Sequence, residues 1–275
     1  MSYKGNQLVE VDDRAPLYKI SELTDFKNGV NEAIEYIYDQ NGSLTKDSNK
    51  GLNFISYNSL HLPMSLDITN SFGSATNNYT YSVDSKKLKV EMKFGNQTKT
   101  TDYVGNMIYE NGALKRILVD GGYVENGQYH FYIQDHLGNN RVVAKVDGTV
   151  IQTNYYPFGM TFMEDDTHDT KAQPYKYNGK EFDGERGLNV YDYSARYMDP
   201  ALGRFMTVDP LSEKYYSISP YAYCGNNPVK YVDPELLKNQ EFQVQTQRKQ
   251  EACIIKLTML LFRKICIKWT CYYKC

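Results

Sequence analysis

The 275-residue chain has no cysteine before position 224, one tryptophan and four histidines. The first 223 residues therefore fold without disulfides. The five cysteines, Cys224, Cys253, Cys266, Cys271 and Cys275, form no Cys-x-x-Cys pair. Neither a secreted disulfide framework nor a zinc site of the usual spacing fits them. The start, MSYKGNQLVEVDD, lacks a basic stretch followed by an apolar one, so no signal peptide is visible. The most apolar window, Ala252 to Ile267, is interrupted by Lys256, Arg263 and Lys264 and is too short to span a bilayer. A helical period beyond about two turns is missing from residues 1 to 160. Brief helical excursions are expected only at "ELTDFKNG", from Glu22, and "NEAIEY", from Asn31.

What the chain does have is tyrosine, 26 residues against 11 phenylalanines, within a composition that is 41% apolar. Rings that carry a hydroxyl suit half-buried strand faces, where one end packs and the other stays wet. Net charge is only −2, unevenly placed. Residues 238 to 275 hold eight basic and two acidic residues, leaving an acidic body. A nucleic-acid binder carries its basic residues as a patch on the folded body, so no nucleic acid is expected there.

Three units share one pattern of tyrosine, turn and leucine: "YKGNQL" at Tyr3, "YDQNGSL" at Tyr38 and "YENGAL" at Tyr109. Tyrosine closes one strand, the Gly or Asn turn supplies positive φ, and leucine opens the returning strand. Alternating runs lie between and after them: "NFISY" from Asn53, "YTYSV" from Tyr79, "KLKVEMKF" from Lys87 and "DGTVIQ" from Asp147. Stacked antiparallel hairpins sharing a core are predicted. In "GLNVYDYSARYMDPALGRFMTVDP", residues 187 to 210, turn formers and aromatics recur within a few residues. Short connections keep such strands adjacent, so Tyr191, Tyr193, Tyr197, Phe205, Tyr221 and Tyr223 are expected to pack as one cluster.

Three groups of residues raise chemistry. Asp209 and Asp233 each precede proline and read as turn formers. His130, Asp135 and His136 lie close in sequence, and "MEDDTHD", Met163 to Asp169, is acidic; neither has the spacing of a metal site. Cys224, in "AYCGNNP", has no histidine nearby in sequence and is expected to pack in a core. No cofactor or metal is expected.

The motifs "YDQNGSL", "DHLGNNR" at Asp135, "YPFG" at Tyr156, "YNGK" at Tyr177, "ARYMDP" at Ala195, "GRFMTVDP" at Gly203, "YAYCGNNP" at Tyr221 and "YVDP" at Tyr231 resemble, in residue type and order, the YD repeats and repeat-associated core of bacterial Rhs-family proteins and the related Tc toxin C subunits. The resemblance covers residues 1 to 234. It implies a mainly β fold: antiparallel YD-repeat hairpins over 1–128 forming part of a curled, shell-like sheet, a core domain over 129–237, and a variable tail over 238–275. Gly179, Gly184, Gly187 and Gly203 are placed to help that sheet curve.

The resemblance implies a structural role in a polymorphic toxin, with the core plugging a β shell around a C-terminal toxin. The expected partners are the rest of such a shell or a second copy, through open strand edges. It further implies an aspartyl-type pair, Asp209 and Asp233, tuned by Arg204, that severs the chain between Leu237 and Lys238. Here the sequence departs from the family, because 233–237 read "DPELL" with Leu236 where the family has glycine. A carbohydrate- or cell-surface-binding role for exposed tyrosines is a third reading. The family is secreted or delivered to cell surfaces. The tail reads either as a short basic helix touching a membrane or as a remnant without activity.

Overall fold

The computed structural model describes residues 1–14, 26–162 and 173–233. A hairpin of β1 (Ser2–Lys4) and β2 (Gln7–Glu10) comes first. Thirteen strands then form one sheet: β3 (Tyr36–Tyr38), β4 (Leu44–Asp47), β5 (Leu52–Tyr57), β6 (Pro63–Asn70), β7 (Gly73–Tyr81), β8 (Lys87–Phe94), β9 (Gln97–Val104), β10 (Met107–Glu110), β11 (Ala113–Val119), β12 (Gly122–Glu125), β13 (Gln128–Gln134), β14 (Asn140–Lys145) and β15 (Val150–Gln152). Every strand pairs antiparallel with the next, and the spatial order is the chain order. We call this sheet the wall. The two-stranded β16 (Asn154–Tyr155) and β17 (Thr161–Phe162) lead to a four-stranded sheet, the cap, of β18 (Glu181–Asp183), β19 (Val190–Asp192), β20 (Tyr197–Asp199) and β21 (Arg204–Phe205). The mainly antiparallel β architecture follows the alternation in the sequence.

The three tyrosine–turn–leucine units are all hairpins, the Tyr38 unit with a longer loop than the other two. Tyr3 lies opposite Leu8, Tyr38 opposite Leu44 and Tyr109 opposite Leu114, and each pair sits at a register shift. The extra residue at such a bulge raises the local twist. The motif therefore encodes a bend as well as a turn. The helical expectation fails where it can be seen: residues 26–35 form no helix, and Tyr36 starts β3. Glu35 is occupied in holding extended chain, since its carboxylate accepts from the Val11 amide at 2.9 Å and from Asn49 at 2.8 Å. Residues 22–25 lie outside the described residues.

Wall and cap share one core. Leu44, Leu52, Ile55, Leu66, Ile68 and Tyr79 of the wall bury against Leu188, Val190, Tyr197 and Met206 of the cap region. Each such side chain contributes roughly 1.5–3 kcal/mol on burial, against about 0–1 kcal/mol for an exposed ion pair. Apolar burial therefore dominates the docking of cap on wall.

A second core holds Tyr177, Tyr191, Tyr193, Met198, Phe205, Tyr223 and Cys224. Four of the six expected rings are here. Tyr197 and Tyr221 are buried elsewhere, on Tyr79 and Tyr38 with ring centroids 6.1 and 5.6 Å apart. Alternation along β20 explains the first: successive residues face opposite sides, so Met198 enters the cluster while Tyr197 turns to the wall. Gly203 closes the β20–β21 turn at φ +66°, where a Cβ would meet the Phe158 ring at 2.9 Å. An L-residue is excluded there on both counts.

Candidate functional site

Arg196 sits in the tight turn between β19 and β20, with its carbonyl accepting from the Tyr193 amide at 3.0 Å. The turn aims the side chain inward, where the guanidinium carbon lies 3.6 Å from the centre of the Phe205 ring. The side chain is only 2% exposed. Its Nη2 is 3.5 Å from Asp209 Oδ2 and 3.5 Å from Asp233 Oδ2. Two Asp-Pro aspartates, 24 positions apart in sequence, thus meet over one buried cation.

Each aspartate is positioned by turn chemistry. Asp209 donates its amide hydrogen to the Pro220 carbonyl, and its Oδ1 accepts from the Leu211 amide at 2.8 Å. Asp233 is buried where the described chain ends. Burial raises its carboxyl above the ordinary range, with the Arg196 cation opposing and the Asp209 charge adding to the rise. Burial lowers the Arg196 guanidinium, and the two carboxylates work against that lowering. Among the described residues, Arg196 Nε and Nη1 have no hydrogen-bond partner. Beside the trio is a cavity of about 30 Å³, lined by Arg196, Asp209, Ser212, Tyr215, Cys224 and Asp233 among others. That is room for a water. Two carboxylates unequal in burial, one cation and a water-sized space are the components of acid–base chemistry on a carbonyl.

Arg204 is placed differently. Its Nη2 donates to the Asn6 carbonyl at 2.8 Å, and its guanidinium lies over Tyr221 at 4.7 Å. Arg196 is the arginine that the trio contains, and its signal in the sequence was the basic residue of "SARYMDP", flanked by rings in a turn-rich stretch. Leu236, Leu237, Lys238 and the whole tail lie outside the described residues.

The other candidates resolve into packing. Cys224 is buried in the aromatic core, and burial pushes its thiol up to about 12. His130 stacks on Tyr123 with centroids 4.3 Å apart, and His136 meets the Val229 carbonyl at 3.2 Å. Asp135 caps its own loop through the Leu137 and Asn139 amides. The acidic stretch from Met163 to Asp169 lies outside the described residues.

No family model matches the chain. It is 38% identical over 114 residues to salivary gland surface protein 1 of Aedes aegypti, covering 42% of this chain and 3% of that protein. It is 29% identical over 172 residues to the tRNA3(Ser)-specific nuclease WapA of Bacillus spizizenii, covering 57% and 7%. It is 28% identical over 138 residues to toxin subunit YenC1 of Yersinia entomophaga, covering 48% and 14%. The chain thus spans a small part of the length of these relatives. Among solved structures, the TcdB2-TccC3-TEV crystal structure matches 73% of this chain, and 11% of its own, with a TM-score of 0.60 at 22% identity. The likeness in fold to that structure, and relatives that include a toxin subunit, agree with the Rhs-type resemblance read from the motifs.

Proposed function

We propose that this chain is a wall-and-cap segment of an Rhs-type shell, in which the cap seals a β wall around the residues that follow it. The observation that carries this reading is the shared core: an unbranched thirteen-stranded meander lays one face on a small sheet built from the chain that follows it. Among the described residues β3 and β15 each pair on one side only, and β2 lies beside β3, with the Glu35 amide donating to the Val9 carbonyl at 2.9 Å, which leaves β15 as the edge able to accept a further strand. Tryptic digestion of the intact chain tests enclosure. An enclosed tail, rich in lysine and arginine, is cut at least about tenfold more slowly than a synthetic peptide of residues 238–275. Equal rates overturn the reading.

The Arg196–Asp209–Asp233 trio favours a second activity, hydrolysis of the chain's own Leu237–Lys238 bond. One carboxylate takes a proton from water as the hydroxide oxygen bonds to the Leu237 carbonyl carbon. The other, protonated, gives its proton to the Lys238 nitrogen as the C–N bond breaks. A new carboxylate and a new amino terminus result. A tethered bond needs little catalytic power for one turnover. Leu236, in place of a glycine, restricts the backbone next to that bond. The wild type is accordingly expected to stay mostly intact, with Leu236→Gly increasing scission and Asp209→Asn abolishing it. Intact mass decides: no fragment ending at Leu237 in either wild type or Leu236→Gly leaves the aspartates as turn formers.

A further inference from the structure

The turn between β4 and β5 presents a lysine to the cap. Lys50 is fixed through its backbone: its amide donates to Asp47 Oδ1 at 3.1 Å, and its carbonyl accepts from Asn70 Nδ2 at 3.1 Å. From there Lys50 Nζ reaches Oδ2 of Asp199, at the end of β20, at 3.1 Å, with the two side chains only 12% and 4% exposed. The other oxygen of Asp199, Oδ1, accepts from the Ala201 amide at 2.9 Å and the Leu202 amide at 3.3 Å. One carboxyl oxygen thus sits on two backbone donors while the other faces an amine, which is how a carboxyl group is polarised for attack at its carbon. Asp47, Lys50 and Asp199 line one cavity of about 100 Å³ together with Tyr36 and Phe182. That is room for a released water. Lys87 is held differently. Its Nζ lies 2.8 Å from Glu181 and 2.6 Å from Asp192, and against burial these carboxylates keep its ammonium well above the ordinary range. Lys87 therefore stays charged and is no nucleophile.

We propose that Lys50 and Asp199 condense to an isopeptide bond, a covalent staple between wall and cap. The buried ion pair first neutralises itself, Nζ passing one proton to Oδ2. The Nζ lone pair then bonds to the Asp199 carboxyl carbon as the bond from that carbon to Oδ2 breaks. Oδ2 leaves as water, with the proton it already holds and a second one from Nζ. No oxidant or co-reactant is consumed, and Oδ1 stays on its two donors as the amide oxygen. Asp47 is placed to carry the second proton across. It is 1% exposed, and burial, with Lys50 opposing and Asp199 adding, raises its carboxyl to about 6, where it both accepts and releases protons near neutrality. The product replaces two buried charges, costly to hold away from water, by a neutral amide. The fold supplies the effective molarity that a slow condensation needs. The bond does not depend on whether the wall encloses anything.

Intact mass and tryptic mapping of the reduced, full-length chain test it. The wild type is expected to be lighter than its sequence by one water and to yield the peptide of residues 197–204 joined to a peptide in which Lys50 is uncut. Lys50→Arg, which keeps the charge but removes the amine, and Asp199→Ala are each expected at full sequence mass. A wild type that remains at full mass after prolonged incubation overturns the proposal, whether or not the variants fold. So does a lost water without the joined peptide, which marks a cyclised aspartate elsewhere. Asp47→Asn is expected to form the joined peptide at least about tenfold more slowly than wild type, and an equal rate overturns the part given to Asp47.

Discussion

Tyr221 donates its hydroxyl hydrogen to the carbonyl oxygen of Gly42 at 2.7 Å, joining positions 179 apart in the sequence. The bond ties the end of the cap region to the β3–β4 turn of the wall. Tyr221→Phe removes the hydroxyl alone and is expected to cost about 1 kcal/mol, read as a lower urea midpoint with an unchanged slope.

Gly42→Ala strikes the same joint harder. Gly42 has φ +79°, and a Cβ there would stand 2.7 Å from a Val208 methyl and 2.8 Å from the Tyr221 hydroxyl. The loss is expected to exceed about 1 kcal/mol, because backbone strain and a clash add. A midpoint equal to that of Tyr221→Phe would show that the turn yields.

Arg196→Met leaves Asp209 and Asp233 facing each other without their cation. Breaking a buried pair by removing one partner costs about 3–5 kcal/mol. Adding Asp209→Asn and Asp233→Asn to the same chain is expected to recover part of that loss. Denaturation of the single and triple variants checks both statements.

Asp47 provides a test by pH. Burial raises its carboxyl to about 6, with Lys50 opposing and Asp199 adding. The native state thus holds a proton that the unfolded chain releases, giving stability that is full below the ordinary aspartate range and lost as pH rises through about 6. Asp47→Asn should therefore gain stability relative to wild type between pH 4 and 8, seen in thermal midpoints at the two values.

Cys224 should resist alkylation in the folded chain at pH 8, since its thiol is buried and held protonated. Peptide mapping after a brief iodoacetamide pulse is expected to show labelling at least about tenfold below that in urea. Equal labelling would mean that the aromatic core opens readily.

Local rules were the legible part of this fold. Tyrosine, turn and leucine at a spacing of five or six named the bulged hairpins, because two-strand geometry is settled by neighbours in sequence. Asp209 and Asp233 could be singled out by their motifs. What brought them together could not, since Arg196 reaches them through a turn whose direction depends on the Phe205 ring beneath it. The split of the six rings had the same origin: β20 had to be placed between two cores before Tyr197 and Met198 could be assigned to opposite sides. The ion pairs of Lys87 in β8 with Glu181 and Asp192 of the cap left no trace in the sequence, as those carboxylates lie 94 and 105 positions away.

The connectivity of the wall also fixes an order of assembly. Each strand from β4 to β15 pairs with the one made just before it, so the sheet can lengthen hairpin by hairpin while the rest of the chain is still being synthesised. Closure is of another kind. The Arg204 bond to Asn6 and the Tyr221 bond to Gly42 span 198 and 179 positions and need residues that are made only after the whole wall. The growing wall must wait with its core face uncovered until the cap arrives, and that interval is when the chain is most exposed to aggregation and to capture by chaperones.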